Sequence, residues 1–208
     1  MDKGILLIVS GFAGSGKGTV MKRLIADYDN YALSVSATTR NPRPGEENGR
    51  EYFFKTKEEF ETMVENGELL EHACYVGNYY GTPKAYVDKM LDEGKDVILE
   101  IEIQGGLQVK EKCPEALLIF MMPPSVEEIY NRLKKRGTED EATISKRMKR
   151  ASEEIEEVAK YDFVMINDDL DECVRNIHEL VKASKWSTLR RSDIINTFKS
   201  EFVDFLKK

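Results

Sequence analysis

The chain has 208 residues, 41% hydrophobic and 33% charged, which suits one compact α/β domain with movable lobes rather than two independent domains. Its formal net charge of −7 opposes a nucleic-acid groove, because backbone binding needs a basic face that releases counterions. The longest apolar stretch, Ala116 to Met122, is far short of the roughly 20 residues of a membrane span, and MDKGILLIVSG lacks a signal-peptide cleavage region. No membrane partner is expected, and the reading is cytoplasmic.

The first strand is expected at Ile5 to Ser10, a continuous apolar run of the kind buried on both faces in a parallel sheet. Directly after it comes GFAGSGKGT (Gly11, Phe12, Ala13, Gly14, Ser15, Gly16, Lys17, Gly18, Thr19), and the spacing predicts a helix over Thr19 to Tyr28. Strand, glycine-rich loop and helix together are what a phosphate loop requires. Loop amides and the helix N-terminus converge on the β-phosphate, and Lys17 supplies a full charge to the β- and γ-phosphates. Position 18 is Gly where Ser or Thr is usual, so Thr19 offers the nearest hydroxyl for Mg²⁺. A dinucleotide fingerprint would need glycine where Thr19 stands, so ATP is favoured over NAD.

The next 65 or so residues mix short aromatic runs with turn residues such as NPRPG and read as an inserted, mostly β lobe. Within it, helices are expected over Lys57 to Glu65 and Pro83 to Glu93, with Pro83 at a helix start and Gly94 past its end. Strands follow at Asp96 to Ile103, Ala116 to Met122 and Phe163 to Asn167, with helices over Val126 to Arg136 and Leu170 to Ala183; this alternation is that of a three-layer α/β fold. Glu100, near the end of its strand, is placed to orient Mg²⁺ or its waters. The charged stretch from Arg136 to Lys160 is expected as an exposed loop and helix, either a solvated face or a mobile lid. Arg40, Arg43 and Arg50 form one basic island and Arg132, Arg136, Arg147 and Arg150 another, which in an acidic chain suggests a phosphate ligand.

Cys74, Cys113 and Cys173 are odd in number and scattered, so buried free thiols are expected rather than disulfides or zinc. His72 and His178 are read as structural. At the C-terminus, Ile194, Phe198, Phe202 and Leu206 follow helical spacing after a Ser192 cap. This amphipathic helix is expected to pack on its own domain, with a homodimer contact as the alternative.

Several spaced segments carry a family resemblance: GFAGSGKGT, SVSATTRNPRPGEENGREYFF (34–54), LLEHACYVGNYYGTP (69–83), LEIEIQG (99–105), PPSVEEIYNRLKKRGTEDEATISKRM (123–148) and VMINDDL (164–170). Together they resemble guanylate kinase over roughly residues 4 to 184. The resemblance implies a P-loop kinase core with a parallel sheet (1–33, 95–125, 161–184), a GMP-binding lobe (34–94), a helical lid (126–160) and an extension over 185–208. It also implies transfer of the γ-phosphoryl of Mg·ATP to GMP, with dGMP tolerance open. The positions matching the family's GMP-phosphate contacts are Arg40, Arg43, Tyr52 and Tyr80, and those matching its guanine contacts are Ser36, Glu71, Thr82 and Glu102. Arg132, Arg136 and Arg147 match arginines that close on the phosphates, Asn167 matches a residue near the adenine, and Lys17 and Arg40 belong to the catalytic set. The carboxylates suit guanine because N1–H and N2–H₂ are adjacent donors, whereas adenine has no N1–H. A rival from another class, a phosphopeptide-binding domain of the same fold, is disfavoured because Lys17 and the lid arginines are present.

Overall fold

The computed structural model describes residues 3–75, 77–135 and 140–207. In chain order the elements are β1 (Leu6–Gly11), α1 (Lys17–Asp27), β2 (Tyr31–Leu33), β3 (Ala37–Thr38), β4 (Phe53–Phe54), α2 (Lys57–Glu65), β5 (Leu69–Tyr75), β6 (Asn78–Pro83), α3 (Lys84–Asp92), β7 (Asp96–Glu100) and α4 (Ile103–Lys112). After them come β8 (Leu117–Met122), α5 (Val126–Lys135), α6 (Glu141–Glu154), a 3-10 turn (Ile155–Lys160), β9 (Phe163–Ile166), α7 (Leu170–Ser184) and α8 (Ser192–Phe205).

Five parallel strands form the core sheet in the order β2-β7-β1-β8-β9. Successive side chains of a strand point to opposite faces, and β1 divides accordingly. Leu6 and Ile8 pack with Val87 and Leu91 of α3, Val109 of α4 and Ile129 and Leu133 of α5. Leu7 and Val9 pack on the other face with Val20 and Leu24 of α1 and Val174, Ile177 and Val181 of α7. Helices therefore cover both faces, which is why the apolar run of β1 is continuous rather than alternating. The topology is the three-layer α/β arrangement expected.

A second sheet, ordered β4-β3-β6-β5, builds the inserted lobe. Its small core joins Ala37, Phe60 and Leu69, with Phe53, Met63 and Tyr79 packed against them. Thr56 starts α2 with a reciprocal cap: its hydroxyl accepts from Glu59 N at 3.1 Å, while Thr56 N donates to the Glu59 carboxylate at 2.8 Å.

The structure corrects several expectations. β7 ends at Glu100, and Ile103 opens a helix, α4, where a strand was expected. The adjacent Gly105 and Gly106 read as helix breakers, but here they are contact points. A Cβ on Gly105 would lie 3.0 Å from Glu71 Oε2, and one on Gly106 would lie 2.5 Å from the Tyr161 hydroxyl and 3.1 Å from Ile8 Cγ2. Pro83 is the residue before α3 rather than its first. In the charged stretch, α6 is not wholly solvated, because Ile144 and Ala151 anchor it to the core. Of the three thiols only Cys173 is buried; Cys113 is half-buried and Cys74 is exposed on β5, a strand of the thin lobe sheet. His178 does pack structurally, stacked on Tyr28 with ring centroids 3.6 Å apart and Nδ1 3.0 Å from the Tyr31 hydroxyl.

At the C-terminus, Arg191 rather than Ser192 precedes α8, without a side-chain cap, and no residue of α8 is buried. Phe198 and Phe202 remain 56% and 63% exposed, so the helix does not pack on its own domain as expected. The preceding segment is fastened to the core by Lys185 paired with buried Asp96 at 2.9 Å and by Arg190 donating to the Gly4 carbonyl at 3.1 Å.

Candidate active site

The loop from Gly11 to Gly16 joins the end of the central strand β1 to the start of α1. Gly14 and Gly16 have φ of +85° and +89°, a left-handed conformation that glycine adopts without steric cost. No side chain caps α1, and its first turn carries no carboxylate, so its amides and partial positive charge are directed at the loop. Lys17 Nζ donates back to the carbonyls of Gly11 at 2.5 Å and Phe12 at 3.3 Å. Ser15 Oγ is buried with no hydrogen-bond partner.

Asn167, just past β9, donates through Nδ2 to the Ser15 carbonyl at 2.8 Å. Its own carbonyl accepts from Arg132 on α5 at 3.1 Å, and Glu128 accepts from Arg132 Nε at 2.7 Å. Loop, β9 end and α5 thus form one connected network. Glu128 went unremarked in the sequence, although it stands one helical turn before Arg132.

Glu100, exposed at the end of β7, stands over the first turn of α1: a Cβ on Gly18 would be 3.8 Å from its Oε1. Thr19 follows directly. Hydroxyl and carboxylate oxygens are the hard donors that suit Mg²⁺, so the residues present fit the ion. Among the described residues no group of three or more His, Cys, Asp or Glu gathers around a point that could cage a metal.

Between the two sheets lies a cleft of about 240 Å³ lined by Ser36, Tyr52, Glu71, Tyr80, Glu100, Glu102 and Arg150. It adjoins a second of about 300 Å³, lined in part by Ser36, Tyr52, Thr82 and Glu100. The structure therefore gathers Ser36, Tyr52, Glu71, Tyr80, Thr82, Glu100 and Glu102; Arg40, Arg43 and Arg147 do not line these two cavities. Arg136 lies outside the described residues. A larger apolar cavity, about 420 Å³ against Phe12, Ile129 and Met148, has no charged group in its lining and offers a phosphate little.

Glu71 is 5% exposed, and its Oε1 accepts from the Thr82 hydroxyl at 2.7 Å. Burial pushes its carboxyl above the ordinary value, with the Thr82 bond opposing the shift and the Glu102 charge adding to it. Lys112 of α4, a residue the sequence did not single out, donates to the Leu70 carbonyl at 2.7 Å, beside Glu71. Glu102 accepts from Arg150 at 2.6 Å.

Arg40 is held by Glu46, whose two carboxylate oxygens lie 2.9 and 3.0 Å from the guanidinium NH2. Its plane lies over the Tyr52 ring at 5.3 Å, and Tyr52 meets Tyr80 edge-on at 6.1 Å. The Arg40 guanidinium and the Arg43 N–H together keep the Glu46 carboxyl below its usual range. Glu46 was also missed, although it lies in the same turn-rich loop.

The guanylate kinase family model matches residues 3–184. The guanylate kinase of Caldanaerobacter subterraneus subsp. tengcongensis is 51% identical over 97% of this chain and 98% of its own length. That of Halalkalibacterium halodurans is 54% identical over 88% and 89%. Among solved structures, guanylate kinase from Anaplasma phagocytophilum superposes with a TM-score of 0.71 at 35% identity, covering 91% of this chain and 90% of that one.

Proposed function

From the premise that this chain belongs to the guanylate kinase family, we infer an ATP:GMP phosphotransferase that yields ADP and GDP. The observation that carries the substrate assignment is the buried Glu71 carboxylate, oriented by Thr82 in a cleft shared with Glu102 and with Glu100, which stands over the first turn of α1. Guanine donates from N1–H and N2–H₂ to such acceptors. Adenine would leave a buried carboxylate unpaired, a mismatch that supports discrimination of roughly 10⁴.

In this reading ATP lies with its phosphates on the loop from Gly11 to Thr19 and its adenine near Asn167. Lys17 exchanges two neutral carbonyls for phosphate oxygens, stronger partners for an ammonium. GMP enters with its base on Ser36, Glu71, Thr82 and Glu102 and its phosphate on Arg40, Arg43, Tyr52 and Tyr80. A GMP phosphate oxygen attacks the γ-phosphorus in line, the bond to the β,γ-bridging oxygen breaks, and that oxygen leaves with ADP. Charge on the migrating group is neutralised by Lys17 and by Arg132, Arg136 and Arg147 as the lid (126–160) approaches the lobe (34–94). Thr19 and Glu100 would hold Mg²⁺, which would supply further charge neutralisation and orientation. Closure excludes water, which protects ATP until the acceptor is bound.

Among the described residues no helix is long and apolar enough to cross a membrane, and work on free nucleotides in the cytoplasm is part of the same reading. So is self-association through the exposed apolar face of α8, which light scattering tests. The activity itself is tested by coupled ADP release with Mg·ATP and GMP, dGMP, AMP, CMP, UMP or dTMP. Turnover confined to the guanine nucleotides is expected; turnover with another base instead would discard the roles of Glu71 and Glu102.

A further inference from the structure

Arg150 lies on α6, in the lid, yet it reaches the guanine cleft. Its guanidinium donates to Glu102 Oε2 at 2.6 Å and, through Nε, to Glu154 Oε1 at 2.7 Å, and the residue lines the cavity that holds Glu71, Tyr80 and Ser36. The Arg150–Glu102 pair joins residues 48 positions apart on separate elements. With the two side chains 49% and 39% exposed, such a pair adds little to stability. It does fix geometry. Glu71 and Glu102 are each held at one oxygen by a protein side-chain donor, Thr82 for Glu71 and Arg150 for Glu102.

We propose that Arg150 is the positioning residue of Glu102, a lid-borne group that orients this carboxylate toward the amino group of a 2-amino-6-oxopurine and so links base selection to lid position. The fork geometry is essential, because one guanidinium must serve Glu102 and Glu154 together, which an ammonium point charge does poorly. The inference rests on the GMP reading above, and inosine monophosphate, which lacks the 2-amino group, separates the two.

The test is steady-state kinetics of the full chain and its Arg150→Met, Arg150→Lys, Glu102→Gln and Arg150→Met/Glu102→Gln variants, with GMP and inosine monophosphate as acceptors and thermal unfolding alongside. Arg150→Met is expected to raise KM for GMP about tenfold, with kcat and KM for ATP within about twofold and KM for inosine monophosphate unmoved. The double variant should be no worse than Glu102→Gln alone, because both remove one interaction. Arg150→Lys keeps the charge and the fold and should still raise KM for GMP. Equal KM changes for both acceptors, additivity in the double variant, or a fall in kcat at constant KM would overturn the proposal. A wild-type chain inactive with GMP would instead overturn the reading beneath it.

Discussion

Thr82→Val removes one hydroxyl from the cleft proposed to take guanine, with almost no change in volume. Thr82 is fully buried and donates to Glu71 Oε1 at 2.7 Å, and Glu71 has little water to replace that donor at 5% exposure. A hydrogen bond to a charged group is worth about 1.5–3 kcal/mol. Without it the carboxyl, already held above its ordinary value by burial, retains its proton to a still higher pH, and a neutral carboxyl accepts poorly from guanine. At about 1.4 kcal/mol per factor of ten, KM for GMP should rise roughly ten- to a hundredfold at neutral pH. The acid limb of its pH profile should also move to higher pH. The assay is coupled ADP release across a pH series at saturating ATP, with Thr82→Ser as the rescue that restores the hydroxyl. An unmoved acid limb, or a Ser variant no better than Val, would refute the reasoning.

Other perturbations probe separate parts of the site. Lys17→Met should lower kcat by at least about 10³, with the unfolding midpoint near that of the parent; near-normal turnover would remove Lys17 from the chemistry. Gly16→Ala places a Cβ against Asn167 Nδ2 at a φ of +89°. Left-handed strain of about 1–2 kcal/mol plus loss of the Asn167 bond, about 1 kcal/mol, should destabilise the fold by ~2–3 kcal/mol in urea unfolding, less when Asn167→Ala is present. Because the buried Glu71 carboxyl keeps its proton to a higher pH than in the unfolded chain, stability is lost as pH rises from the ordinary value of 4.5 through the raised one. Glu71→Gln should therefore gain on the parent over that window and keep the gain above it; a pH-independent difference between their urea midpoints would contradict this.

Much of this architecture was legible in the residues, and the exceptions have physical reasons. The parallel strands announce themselves because burial on both faces demands an unbroken apolar run, as Leu6 to Val9 shows. The glycine-rich turn between β1 and α1 is local, so nine consecutive residues from Gly11 to Thr19 suffice to read it. α4 stayed hidden because glycine's low helix propensity speaks against a helix, while the reason for Gly105 and Gly106 is what crosses over them: Glu71 from the lobe and Tyr161 from beyond the lid. The pairings of Arg40 with Glu46 and Arg150 with Glu102 were likewise unreadable, since any of several nearby carboxylates could have served until folding selected one. For α8, amphipathicity shows that a face wants covering but not by what.

The two carboxylates proposed to face the base are mounted on different structures. Glu71 belongs to β5 of the lobe sheet, whereas Glu102 follows β7 of the core sheet, and the two sheets share no strand. The spacing between the acceptors is thus set by the connecting segments as much as by the carboxylates themselves. A family built this way can drift in its preference among purines through changes in a hinge, with every base-contacting side chain left in place. Comparing only the contact residues of two relatives would miss such a change.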